Sequence, residues 1–341
     1  MSQISFHWFR WGIPILKINK KVKPTMNDNY KVYLGSEAGR DYQESVDHVM
    51  GRANYLLSNH QHYIDDIKQL LEIIHTSDGN PLYCMKSLGT YYEAKASSDL
   101  LLHADINAFK QDAYVAAKLQ IMGKEEIYWA YNGYNTDNFF AAIMSDSPEL
   151  IRFLIEHRDE VVEVNELYDR KDTRSYFNKN TLLALAGEWK PLKERSLIFL
   201  KDEKKDKLDI KRIPDHEFYI ALCDKDVKAM QTALTKLLEP KLAKKAAYDS
   251  NNWFDFYLQM QVILYAKIAA IHGYDLDINS PITPKELIEF KPLPSYSEPY
   301  NFMTEFDYKQ PQQDWINMWQ ERMRVASEKK KKKGLFSWLN K

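Results

Sequence analysis

Asn252–Ile288, NWFDFYLQMQVILYAKIAAIHGYDLDINSPITPKELI, is the stretch on which the fold turns. Its first half is a long apolar run. Trp253, Tyr257, Met260, Leu264, Ile268 and Ile271 form one stripe at helical spacing, and Phe254, Leu258, Val262, Tyr265 and Ala269 form a second. A helix with two apolar stripes packs on two sides. A central buried helix over 253–272 is therefore expected, closed by Gly273. An acidic turn follows, then a segment punctuated by Pro281 and Pro284.

The residues before it repeat a shape. FFAAIMSDSPELIRFLIEH (139–157) is a short apolar helix, an aspartate and a second amphipathic helix, with Pro148 suited to a first turn after a cap at Asp146 or Ser147. EFYIALCDKDVKAMQTALTKLLEP (217–240) has the same form around Asp224. SYFNKNTLLALAGEWKPLKERSLIFL (175–200) supplies a third pair. Three αα units over 137–240 suggest a helical-repeat array. Earlier still, 41–123 reads as long helices. Tyr42, Val46, Val49, Ala53 and Leu56 are continued by Ile64, Ile67, Leu71 and Ile74, then a turn at Ser77–Pro81, then one helix over Thr90–Met122 ended by Gly123 as a left-handed cap. Lys201–Arg212 is a charge run expected as a loop, and Phe290–Pro311, rich in proline and aromatics, has no helical period.

The expected fold class is all-α: a multi-helix αα-hairpin array around a buried late helix. Residues 41–328 are read as a single domain. Residues 1–40 are read as an irregular segment docking through Trp8, Phe9 and Trp11, and 329–341 as a polybasic amphipathic tail. Only 11 glycines occur, which disfavours phosphate loops. Cys84 and Cys223 stand far apart, so neither a zinc site nor a disulfide framework is expected. Neither a secretory leader nor a membrane-spanning run is read.

Charge is unevenly placed. The chain has 47 Lys and Arg against 48 Asp and Glu, but six lysines fall in Lys329–Lys341 with no acid among them. The body is thus acidic by about seven charges, which argues against nucleic acid as a partner and for a basic protein. Two surfaces are candidates for protein binding. One is the acidic stretch Glu156, Asp159, Glu160, Glu163, Glu166 and Asp169; the other is the aromatic loop with Tyr296, Tyr300, Phe302 and Tyr308. In the tail, Lys329, Lys330, Lys331, Lys332 and Lys333 precede Leu335, Phe336, Trp338 and Leu339. That composition suits peripheral contact with an anionic membrane, or else a solubilising tail. His60 and His62 form an HxH pair with no second ligand cluster, and nucleophile-elbow, P-loop, dinucleotide and zincin patterns are absent from the sequence. No catalytic, metal or cofactor residues are assigned.

The units ALAGEWKPL, IALCDKDVKAMQTALTKLL and AKIAAIHGYDLDINSPITPKELI resemble the immunity protein family 49 of bacterial polymorphic-toxin and type VI secretion systems. The matching positions are Ala184-Leu185 before Glu188 and Ala221-Leu222 before Asp224. Gly273, Asp275, Leu276, Asp277, Ile278, Ser280, Pro281, Pro284, Glu286, Leu287 and Ile288 follow later. The resemblance spans roughly Thr90–Ile288. It implies a non-catalytic cytoplasmic protein without cofactors, possessing structural positions only, that binds one cognate toxin, such as a nuclease effector, and occludes it. A peripheral position at the inner membrane through the tail is compatible with this. A helical-repeat adaptor is the other reading, and the residues themselves leave the oligomeric state and the toxin open.

Overall fold

The computed structural model describes residues 61–203, 207–239, 253, 254, 258–280 and 282–339. The readings placed on 1–60, among them the docking segment, the first helical stripe and His60, lie outside the described residues, as do Pro281 and the side chain of His62. Helices dominate, and no β-strand occurs among the described residues beyond a single bridge between Ser280 and Thr283. The expected all-α class holds.

Helix α1 (Gln61–Thr76) leads through the predicted turn, with Ser77 and Gly79 at positive φ, into α2 (Pro81–His103). Asn80 caps α2 and Pro81 opens it, as the missing proline N–H allows. The single helix expected over Thr90–Met122 is in fact two. Ala104 turns left-handed (φ 50°), Asp105 caps the Ala108 N–H at 2.9 Å, and α3 (Ile106–Met122) runs back along α2. Asp105 is a cap signal concealed inside an otherwise continuous apolar period.

The three αα pairs follow: α4 (Asn135–Met144) with α5 (Pro148–Glu156), then a one-turn α6 (Arg158–Val161), then α7 (Arg174–Ala186) with α8 (Trp189–Lys201), then α9 (Lys207–Cys223) with α10 (Val227–Leu238). Their corners share one device. A residue at positive φ (Asp146, Gly187 or Lys225) is followed by the N-cap residue of the next helix (Ser147, Glu188 or Asp226). At the second and third corners a Schellman bond closes the turn: Glu188 N–H donates to Leu183 O, and Asp226 N–H to Ala221 O, each at 2.9 Å. The α2–α3 corner at Ala104–Asp105 has the same plan. The charge run over 201–212 is a loop only in part, because Lys207–Arg212 already form the first turns of α9. A lysine-rich stretch holding Leu208 and Ile210 is a good helix former as well as a soluble one.

Helix α11 (Met260–Ile271) sits at the centre and packs against α4, α7, α10 and the short α12 (Lys285–Ile288). It is buried from Met260 to Ala269 on all sides except at Gln261. It begins seven residues later than the apolar period suggests. Trp253 and Phe254 lie in a turn, and the Gln259 N–H donates to Ile282 O at 2.8 Å, so the returning segment takes the bond that would have started another helical turn. The last helix is α13 (Gln312–Leu339), so the lysine run read as the start of a tail is helical and continuous with the residues before it.

Lys267 on α11 is fully buried. Its Nζ donates to Asp146 Oδ1 and, at 2.7 Å, to Glu289 O. Asp146 is also fully buried; its other oxygen meets Lys110 Nζ of α3 at 2.7 Å and accepts the Lys291 N–H at 3.1 Å. Lys110 Nζ in turn donates to Lys291 O at 2.8 Å. One carboxylate thus ties α3, the α4–α5 corner, α11 and the chain after α12. Gly123 marks another tight approach. Its φ is −82°, so it is not the left-handed cap expected. A Cβ there would stand 2.6 Å from Lys86 N and 2.8 Å from Leu82 O.

Two measurements test these constraints. Gly123→Ala must move the α2 backbone, and a loss of about 1–3 kcal/mol in urea unfolding is expected; an unchanged midpoint would mean that the two helices part freely. Desolvation, aided by the Lys110 charge, pulls Lys267 down to about 8 against the attraction of Asp146. Between there and the unfolded lysine value near 10.4, the unfolded chain holds a proton the folded one has released, so stability attributable to this group rises with pH. Lys267→Met should therefore flatten the rise in unfolding free energy between pH 8 and 9.5 by up to about 1.4 kcal/mol per pH unit. Equal slopes in the two proteins would mean that folded Lys267 keeps its proton as firmly as the unfolded chain does, against the lowering by burial.

Candidate functional site

The loop 162–173 joins α6 to α7 and is built from its own side chains. Asn165 Oδ1 accepts the N–H groups of Leu167 and Tyr168, both at 2.9 Å, and Asp169 N–H donates to Asn165 O at 2.8 Å. An asparagine closing a turn on the residues that follow it is a local, strongly encoded structure. Thr173 donates to Tyr168 O at 2.6 Å and accepts the Tyr176 N–H, so the same residue closes the loop and caps α7.

Arg195 of α8 fastens the loop from below. It pairs with Asp169 at 2.5 Å, donates to Asn180 Oδ1 at 2.6 Å, and its guanidinium lies 4.0 Å from the centre of the Tyr176 ring. Lys171 pairs with Asp202, which follows the last residue of α8, two turns beyond Arg195. Ile198 stands on α8 between these two anchors and is 63% exposed. The loop itself presents Val164 (52% exposed) and Leu167 (60%).

The six acids of this stretch divide into two groups. Asp159 is paired with Lys179 at 2.5 Å, and that hydrogen bond holds its carboxyl below the ordinary value. Glu160 reaches His157 Nδ1 at 3.1 Å and accepts the Gln312 N–H at 2.7 Å. Asp169 is held by Arg195. Glu156, Glu163 and Glu166 make no ion pair among the described residues; Glu156 and Glu166 are exposed and Glu163 is half-buried. Glu163 and Glu166 therefore adjoin the exposed Val164 and Leu167 in the loop, while Glu156 stands at the end of α5, an arrangement that a reading of charge alone did not find. The signal was present in EVNEL, where apolar residues alternate with acids and no helical face emerges.

The aromatic loop lies against the outer stripe of α3. Tyr296, Tyr300, Phe302 and Tyr308 are each half-buried. Tyr296 donates to Ser145 O at 2.7 Å, Tyr300 meets the Tyr92 hydroxyl at 3.4 Å, and Tyr308 donates to Tyr114 at 3.2 Å. Burial pushes the Tyr308 phenol far above its ordinary value. Glu298 accepts from both Tyr114, at 2.8 Å, and the buried Lys118. Tyr300 and Phe302 stack at 5.5 Å and line one side of a groove of about 390 Å³ whose other walls are Leu71, Ile74, Trp319 and Arg322. His157 joins the two predicted surfaces, its Nε2 lying 2.9 Å from Tyr308 O while Nδ1 faces Glu160.

The lysine run and its apolar neighbours, 329–339, belong to α13. Among the described residues no group of three His, Cys, Asp or Glu side chains is placed to hold a metal ion, and no helix is long and apolar enough to cross a membrane.

The model of one protein family, described as Immunity protein 49, matches residues 104–287, more than half of the 341-residue chain. The match opens at the α2–α3 corner and closes within α12. It includes the loop 162–173 and excludes the aromatic loop and α13. No curated protein and no solved structure matches the chain.

Arg195 is the anchor on which the loop geometry depends. Arg195→Ala should leave the helices intact but speed amide exchange across 165–171, measured by deuterium uptake at the peptide level. Unchanged uptake there would show that the Asn165 turn holds the loop unaided.

Proposed function

The chain belongs to the immunity protein 49 family, and from that membership we propose that it binds a cognate antibacterial toxin and holds it inactive by covering its working surface. Proteins of this family are generally non-enzymatic. The toxin is a cytoplasm-acting effector such as a nuclease, delivered by a polymorphic-toxin or type VI system, and one chain occupies one toxin in the cytoplasm. The observation that carries this reading is the family match across 104–287.

Within that span the loop 162–173 is the surface we assign to the toxin. It joins the two ingredients that protein interfaces use. Val164 and Leu167, with Ile198 beside them, offer apolar anchors that a partner can desolvate. Glu156, Glu163 and Glu166 offer negative charge not already neutralised by the fold. A nuclease cleft is basic because it holds phosphates, so such acids would steer encounter and set register. Anchoring by Asn165, Thr173 and Arg195 orders the loop before binding, which lowers the entropy lost on association.

Co-expression with the toxin encoded beside it should restore growth. Reversing two charges (Glu163→Lys with Glu166→Lys) should slow association about tenfold with a weakened salt dependence. Leu167→Asp should weaken the complex by at least about tenfold, through a faster off-rate. Neither change should shift the melting temperature beyond about 2 °C, since both sites are at the surface. If the toxin is neutralised but both variants bind as the parent does, the interface lies elsewhere; if no neighbouring effector is neutralised, the functional reading fails.

A further inference from the structure

Helix α13 changes character along its length. Gln312, Trp315, Ile316 and Trp319 are buried, with Trp315 donating to Met122 O at 2.8 Å and Gln312 to Ile121 O at 3.1 Å. From Ser327 to Lys332 every residue is exposed. The helix nevertheless continues to Leu339, so its distal part, 327–339, is a helical segment of 13 residues, about 20 Å long at 1.5 Å per residue.

That segment carries two features in sequence. Lys329–Lys333 occupy five consecutive positions, which at 100° per residue surround the helix with positive charge. Lys330 meets Asp78 of the α1–α2 turn at 3.0 Å, an exposed contact of the kind that is readily exchanged. Lys329, Lys331 and Lys332 have no ion pair among the described residues. One turn later, positions 335, 336, 338 and 339, all large and apolar, fall within an arc of about 160°, with Gly334 and Ser337 opposite. A polyanion such as nucleic acid calls for the lysines alone. An apolar arc at the end of a basic collar calls for a surface that is anionic at its face and hydrocarbon beneath.

We propose that the distal part of α13 is an interfacial lipid-binding helix, which rests on an anionic membrane with its lysines at the headgroups and its apolar arc at the acyl boundary. It holds the protein at the membrane surface without crossing it. The inference is independent of toxin binding: the loop 162–173 is on another part of the fold, and α13 lies outside the family match.

The test is co-sedimentation of the full chain with vesicles of phosphatidylcholine alone or containing phosphatidylglycerol, at low and physiological salt. The intact protein should sediment with phosphatidylglycerol vesicles, less so at higher salt, and hardly at all with phosphatidylcholine. Replacing Lys329–Lys333 together by glutamine should weaken this at least about tenfold. Leu335→Ser with Trp338→Ser should also weaken it, with circular dichroism confirming that both variants remain folded. No sedimentation of the parent with phosphatidylglycerol vesicles overturns the proposal. So does unaltered sedimentation of the Leu335→Ser, Trp338→Ser variant, which would reduce the helix to a general polyanion site such as RNA would occupy.

Discussion

The carboxylate of Asp146 is the point on which the packing depends. It has no contact with water, and it faces two lysines from different helices, Lys110 and Lys267, and the backbone of Lys291. Two positive charges on one negative charge leave a surplus in the interior. The carbonyls of Glu289 and Lys291 offset part of it, each accepting one further ammonium N–H. Buried ions are costly to desolvate and are tolerated only when each donor and acceptor is met in good geometry. Such a cluster allows very few arrangements of the elements that contribute to it. The requirement extends to the backbone: Asp146 has φ +57°, a left-handed conformation that aspartate tolerates better than most residues, and this aims its side chain inward at the corner instead of outward as a cap. Ser147 does the capping.

Around that point the fold repeats one solution. At these tight corners a left-handed residue reverses the chain and the next residue takes the N-cap position of the following helix, so paired helices lie antiparallel with little connecting chain. Helix α11 then fills the space the pairs enclose. It has no polar face because from Val262 to Ala269 every residue is buried; its lysine is accounted for by the ion cluster.

Much of this was readable from residue spacing. The three helix pairs, the turn at Ser77–Pro81 and the buried late helix all follow from apolar period, prolines and caps. The misreadings have common physical origins. Asp105 interrupts a continuous apolar period with a two-residue corner, and periodicity averages over such a break. The early start assigned to α11 ignored the claim that Ile282 O makes on the Gln259 N–H, a contact between segments that no local pattern contains. Lysine is read as a surface residue, yet Lys110, Lys118 and Lys267 are interior because partners from distant segments reach them. The same blindness to pairing made six acids look equivalent when three are committed to internal contacts.

The segment from Lys291 to Trp319 returns across the outer stripe of α3, and its bonds join residues 181 to 194 positions apart. Contacts so remote along the chain have a temporal meaning. On the ribosome, α3 emerges long before its cover does; at 5–20 residues per second the interval is about 10–40 s. Throughout that time Lys110, Tyr114 and Lys118 must remain hydrated, which their polarity permits, whereas an apolar stripe would invite aggregation. A seam made of lysine, tyrosine and glutamine is thus suited to a joint that is left open during synthesis and sealed last.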